Sequence, residues 1–187
     1  MSNVTEKVYR FIKTKLLHVD MRSQIEIAEA NGFKHGERCA FMGEVIIDLG
    51  HCWLIEVGND VTLAPRVHVL AHDASTKRQL GYTRIAEVKI GNNVFVGAGS
   101  IILPGVHIGD DVIIGAGSIV SRDIPSNSVA VGNPCKVISS YTDYMARKKR
   151  EMTPENTFDE GYIIGTISEE KKAEMKKKLK KGPGFIK

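Results

Sequence analysis

Aromatic side chains are scarce in this 187-residue chain: six Phe, five Tyr and one Trp make up 6% of it. None is interleaved with the lysine-rich stretch near the C-terminus, which argues against a stacking platform for nucleic acid. Cysteine is sparser still. Cys39, Cys52 and Cys135 are odd in number and lack CxxC spacing, which argues against a disulfide framework or a thiolate zinc site. All three read as ordinary buried thiols. No apolar run approaches the roughly 20 residues of a membrane span, and the opening MSNVTEKVYRFIKTKLL has no signal-peptide core. A soluble cytoplasmic protein is expected, with one core and an appendage rather than two full domains.

What the chain has in quantity is β-branched aliphatics, 17 Val and 20 Ile against 9 Leu. Such a core suits pleated packing. Charge is unevenly spread: the chain's net charge is +4, residues 147–187 hold 12 Lys+Arg against 7 Asp+Glu, and the rest, with 14 against 15, is close to neutral. In that tail Ser168, Glu169 and Glu170 open EEKKAEMKKKLKK, which closes at Gly182-Pro183, the cap and charge order of a helix. A solvated helix is the preferred reading; contact with a membrane surface is the weaker one. Near the other end Val4, Val8, Phe11, Ile12 and Leu16 recur at helical spacing, and SQIE from Ser23 reads as a capping box for a helix ending at Asn31-Gly32.

From residue 90 the sequence runs IGNNVF, VGAGSI, ILPGVH, IGDDVI, IGAGSI, VSRDIP, with an aliphatic at every sixth position. The fifth position is small or β-branched, so first and fifth positions are expected to point inward, with a short strand and turn per unit. Glycine at 91, 97, 109 and 115 is read as permitting the bend. The same phase occurs in VGNDVT and LAPRVH from Val57, and resumes after a polar stretch, DASTKRQLGYTRIAE, expected to leave the coil as a loop over 73–87. Stacked turns of this kind bury one continuous core.

These hexads, with VGNDVTLAPRVHVLAHD and VGNPCKVI, resemble the hexapeptide-repeat acyltransferases, in particular the maltose, galactoside and xenobiotic acetyltransferase branch. The resemblance runs from about residue 36 to 138. It implies a mainly β fold, a left-handed parallel β-helix with N-terminal helices and a C-terminal helical tail. The organisation expected is a helical segment over 1–35, the β-helix over 36–138 and a basic extension over 139–187. It further implies a homotrimer with active sites between neighbours. In that geometry the outward sixth positions pair as Phe95 over Ile113 and Ile101 over Ile119, apolar ladders expected to be covered by a neighbouring subunit or the coenzyme arm.

The activity implied is acetyl transfer from acetyl-CoA to a hydroxyl of a sugar or polysaccharide precursor. An imidazole suits the required base. His72, where the repeat breaks, matches the family's catalytic histidine, whereas His68 and His107 read as solvated turn residues. No GxSxG turn or Cys partner motif is present, so direct attack is favoured over an acyl-enzyme. By resemblance the coenzyme would contact Phe95, Gly97, Ala98, Ala116, Ser121, Arg122, Pro134 and Lys136, with the two cations near its phosphates. Gly97 and Gly117 read equally well as plain turn glycines. Phe95 stands where relatives often have Trp. Glu44, Asp73 and Tyr82 are candidate acceptor contacts, Asp73 and Glu44 leave the group orienting His72 open, and no metal is expected. The alternatives are N-acetylation of an amino sugar, a non-catalytic trimeric scaffold, and a γ-type carbonic anhydrase with three zinc-binding histidines.

Overall fold

The structure, a computed structural model, describes residues 23–187. The helix expected over Val4 to Leu16 lies outside the described residues. The chain divides into two compact units, the first extending through Tyr141 and the second covering Thr142–Lys187.

The first unit is a coil of three parallel sheets visited in turn. One face stacks Lys34–His35, Ile55–Val57, Val88–Ile90 and His107–Ile108; the next stacks Ala40–Phe41, Thr62–Leu63, Val94–Val96, Val112–Ile114 and Ser128–Val131; the third stacks Ile46–Ile47, His68–Val69, Ile101–Ile102 and Ile119–Val120. Inward residues form aliphatic columns, such as Ile47, Val69, Ile102 and Val120, all at most 1% exposed. Each such side chain contributes about 1.5–3 kcal/mol by leaving water. Fifth positions also point inward, so Ser100 and Ser118 are fully buried. Both hydroxyls donate to the Gly115 carbonyl, and each accepts a backbone N–H, from Ser118 and Gly132 respectively. The buried oxygens are therefore satisfied.

The turns correct the reading of glycine. The fourth position takes positive φ in seven hexads, at Asp60, Arg66, Asn93, Gly99, Gly105, Asp111 and Gly117, though not at Asp123 of VSRDIP. Asn and Asp tolerate this region better than most side chains, and Arg66 occupies it at a cost of about 1 kcal/mol. The second-position glycines do something else. A Cβ on Gly91 would lie 2.8 Å from the carbonyl carbon of Gly109, and one on Gly97 would lie 2.8 Å from the Cα of Ala116. Those glycines let consecutive coils approach; the fourth position makes the bend.

Register shows where the coil is interrupted. Stacked partners are 18 residues apart between Ile90 and Val120, as Val94 with Val112, but 22 apart in the first turn, as Ile47 with Val69, 33 apart across the loop, as Val57 with Ile90, and 16 apart in the last, as Val112 with Ser128. The four extra residues fall in the turn between Ile47 and Ile55. There Cys52 is buried, its thiol 3.5 and 3.3 Å from the carbonyls of Ala28 and Asn31, which ties the turn to the helix Gln24–Ala30. That helix carries the Ser23 and Glu26 capping box. Of the three thiols only Cys52 is buried; Cys39 and Cys135 are half-buried at coil corners.

The longer interruption closes on itself. His72–Asp73 pairs antiparallel with Arg84–Ile85, and between them Lys77–Leu80 forms one helical turn stopped by Gly81 at φ +77°. In the second unit Ser168 caps the helix Glu169–Leu179, and Thr157–Phe158 pairs with Phe185–Ile186. No helix among the described residues is long and apolar enough to cross a membrane.

Candidate active site

His72 begins the loop one residue beyond Ala71, and its side chain is 40% exposed. Its Nδ1 lies 2.5 Å from Oδ2 of Asp48, whose side chain is 3% exposed. Asp48 follows Ile47 on the preceding coil, at the start of the four-residue insertion. Its Oδ2 also accepts the Ala71 N–H at 2.9 Å, and Oδ1 accepts the Gly50 N–H at 3.2 Å. An ionised carboxylate only accepts, so Nδ1 carries the proton and Nε2 keeps its lone pair.

Burial by itself would raise the Asp48 pKa. The Ala71 N–H, the His72 hydrogen bond and charge, and the charge of His51 outweigh it and hold the carboxyl below its ordinary value. The sign of the linkage follows. A depressed native pKa contributes stability above the unfolded value of about 3.9, and that stability is lost as pH falls through the native value. The unfolding free energy of the native chain should therefore exceed that of Asp48→Asn at pH 7, and the gap should narrow below about pH 4. Urea melts of both proteins at several pH values measure it; a gap that widens in acid would contradict the assignment.

His51 completes the cluster. Its ring centroid lies 5.1 Å from that of His72 and 5.4 Å from that of Trp53, which is 55% exposed. Its Nδ1 is buried without a hydrogen-bond partner. Asp48, His51 and His72 each offer a donor atom within 4.8 Å of the others, a grouping the sequence reading did not anticipate. It contains two histidines rather than the three of the carbonic anhydrase alternative, and His68 is not part of it.

The other expected site residues fall into separate places. Asp73 does not bond His72; its carboxylate accepts the Ser75 N–H at 2.9 Å and shapes the loop. Tyr82 is 79% exposed farther along that loop, and Glu44 is exposed in the turn before Val45. Phe95 pairs in register with Ile113 and is 45% exposed. Ala98 and Ala116 occupy equivalent corners one coil apart, with the Gly117 N–H donating to the Ala98 carbonyl at 2.9 Å. Ser121 and Arg122 follow Ile119–Val120. The Gly132–Cys135 turn, containing Pro134, bonds both sides of Ile119: its N–H reaches the Gly132 carbonyl at 3.0 Å and its carbonyl the Cys135 N–H at 2.9 Å. Lys136 is next in sequence. The turn entering the third sheet bears no side chain larger than a methyl at 97–99 and 115–117, which leaves room for a narrow chain, while Arg122 lies in the turn leaving that sheet, and Arg122 and Lys136 form no ion pair among the described residues.

Residues 87–122 match the family described as bacterial transferase hexapeptide (six repeats). Protein CapG of Staphylococcus aureus is 44% identical over 118 residues, covering 60% of this chain and 69% of CapG. The chain belongs to the hexapeptide-repeat transferases. Within this family, galactoside O-acetyltransferase of Escherichia coli is 42% identical over 97 residues, 49% of this chain and 46% of that protein. The chain thus spans about half the length of that relative. A solved galactoside acetyltransferase in complex with coenzyme A is 28% identical, covers 81% of this chain and 84% of its own, and superposes with a TM-score of 0.52. The hexapeptide coil explains the columns and corners described above; the Asp48 contact was missed because the insertion shifts the register there. A lone acid in the apolar run VIIDLG was its available signal.

Proposed function

We propose that this hexapeptide-repeat transferase is an acyltransferase that moves acetyl from acetyl-CoA to a hydroxyl of a sugar or polysaccharide precursor, with His72 as general base. The observation that carries the reading is the His72–Asp48 hydrogen bond, which leaves Nε2 free at the coil's edge. The relatives named galactoside O-acetyltransferase support the same chemistry.

Nε2 takes the acceptor hydroxyl proton as the oxygen attacks the thioester carbonyl, and backbone N–H groups stabilise the tetrahedral oxyanion. Collapse breaks the C–S bond, and the departing sulfur recovers the proton from Nε2. Asp48 holds the ring in the reactive tautomer and stabilises the transient imidazolium. Phe95, Gly97, Ala98 and Ala116 would line the pantetheine arm, Ser121 and Pro134 its phosphate end, and Arg122 and Lys136 would meet the phosphates. Glu44, Asp73 and Tyr82 would face the acceptor, as would the exposed Trp53. The coil is left-handed in this reading, and the Phe95–Ile113 and Ile101–Ile119 ladders face neighbours in a homotrimer.

Thiol release from acetyl-CoA, followed across a panel of mono- and oligosaccharides, tests the proposal. Acceptor-dependent release with acetyl found on oxygen is expected. Acetyl found only on an amine, or release independent of every acceptor, would overturn it.

A further inference from the structure

His51 has no part in the proposed acyl transfer, yet its Nδ1 is buried without a partner beside a carboxylate and a second imidazole that bond each other. A ring nitrogen buried without a partner is an unsatisfied polar group, and a bound cation is one way to satisfy it. The groups around it restrict what that cation can be. Two imidazoles and one carboxylate, with one donor from each inside 4.8 Å, form a nitrogen-rich set suited to a borderline cation rather than to magnesium or calcium.

We propose that Asp48, His51 and His72 form an inhibitory zinc site, regulating the acyl-transfer centre on whose assignment this inference rests. Donors at about 2.0–2.2 Å from a tetrahedral zinc lie about 3.4 Å apart. Asp48 Oδ2 and His72 Nδ1 must therefore separate from 2.5 Å by about 1 Å. The widest separation in the group must close by slightly more than that, from at most 4.8 Å. His72 stands at the start of an inserted loop and His51 in an irregular turn, so rotations of exposed or half-exposed rings supply both movements. Water would fill the fourth position.

The inhibition follows from tautomer chemistry. A neutral imidazole has one N–H and one lone pair. When zinc takes Nδ1 of His72, the proton held between His72 and Asp48 relocates through solvent to Nε2, and the ring stays neutral. Nε2 then carries a hydrogen and cannot accept the acceptor's proton. Bound zinc and a free base are thus mutually exclusive states of the same ring. The site differs from a catalytic zinc centre because the metal removes the reactive lone pair.

Titration of the metal-free protein with Zn2+, read by competition with a chromophoric chelator, should give about one tight site per chain. His51→Gln should weaken that site at least about tenfold, and the zinc concentration that halves acetyl transfer should rise by the same factor. His68→Gln, four residues before His72 but outside the cluster, should change neither. On the unmutated chain, bound Zn2+ should shield His51 and His72, but not His107, from carbethoxylation mapped by mass spectrometry. Absence of a tight site, or equal effects of His51→Gln and His68→Gln, overturns the inference. Stoichiometric zinc without inhibition also overturns it. Dependence of acetyl transfer on His72 in chelator-treated protein is scored separately, so a failed zinc site and a failed base assignment give different results.

Discussion

Replacing His72 with alanine should lower kcat for acetyl transfer by about 10²–10⁴-fold and change the KM for acetyl-CoA by less than about twofold. The proton acceptor is used in the transition state and makes no claim on coenzyme binding in the ground state. Asp48→Asn should approach the same loss by a different route, because an asparagine amide can donate to Nδ1 and so favour the tautomer with hydrogen on Nε2. A loss on the order of 10²–10⁴-fold is expected by analogy with other carboxylate-held histidines. The double variant should be little worse than either single one, since both changes abolish one function. Steady-state kinetics with the best acceptor measure all three. An unchanged kcat for His72→Ala would remove the base assignment; additive losses would show that Asp48 acts elsewhere.

The second large effect is on stability. An alanine at Gly97 places its methyl carbon against the backbone nitrogen of Ala116, 2.8 Å from its Cα and 2.8 Å from the carbonyl carbon of Gly115. These are main-chain atoms of the next coil, and they cannot swing aside as a side chain would. Relief requires the coils to part, which lengthens ladder hydrogen bonds and opens the column around Val96 and Ile114. Gly97→Ala should cost about 3 kcal/mol or more. Gly117→Ala meets open space but occupies φ +68°, so its cost is confined to about 1–2 kcal/mol of backbone strain. Urea unfolding curves of the two variants provide the comparison. If Gly117→Ala is the more damaging, close approach of coils is not what the second-position glycines supply.

The contrast between these glycines shows what a periodic sequence makes legible. From Ile90 to Val120 the 18-residue register is unbroken, so the inward aliphatics and the buried Ser100 and Ser118 could be read from the six-residue spacing, and the stacking of Phe95 on Ile113 from the family resemblance. Glycine's purpose could not, because the same residue type serves a bend at the fourth position and an interlayer contact at the second. Only the neighbouring coil distinguishes them. The candidate site was legible in half. His72 stands where the hexads stop, a visible discontinuity, and its family resemblance singles it out. Asp48 is 24 residues earlier, beyond an insertion of four, so no fixed period links the two. Asp73 was the nearer acid in sequence, but its carboxylate is committed to the Ser75 N–H. His51 carried no signal in spacing; its importance arises from the unpaired nitrogen that folding creates.

The strand Lys136–Ser140 runs antiparallel to Ser128–Val131, with a shift in register between Val129 and Ala130. Every other strand added to that sheet is parallel. A parallel solenoid is by construction a template whose final rung presents the unpaired amides and carbonyls that a further rung would use, whether that rung comes from the same chain or another. Reversing direction places a strand on that edge without reproducing it, so the next parallel rung has no matching partner. The turn that accomplishes the reversal includes Pro134, which has no N–H to offer. The segment that bears the proposed phosphate contact Lys136 therefore also occupies the last edge of that one sheet, where a further parallel rung would otherwise pair.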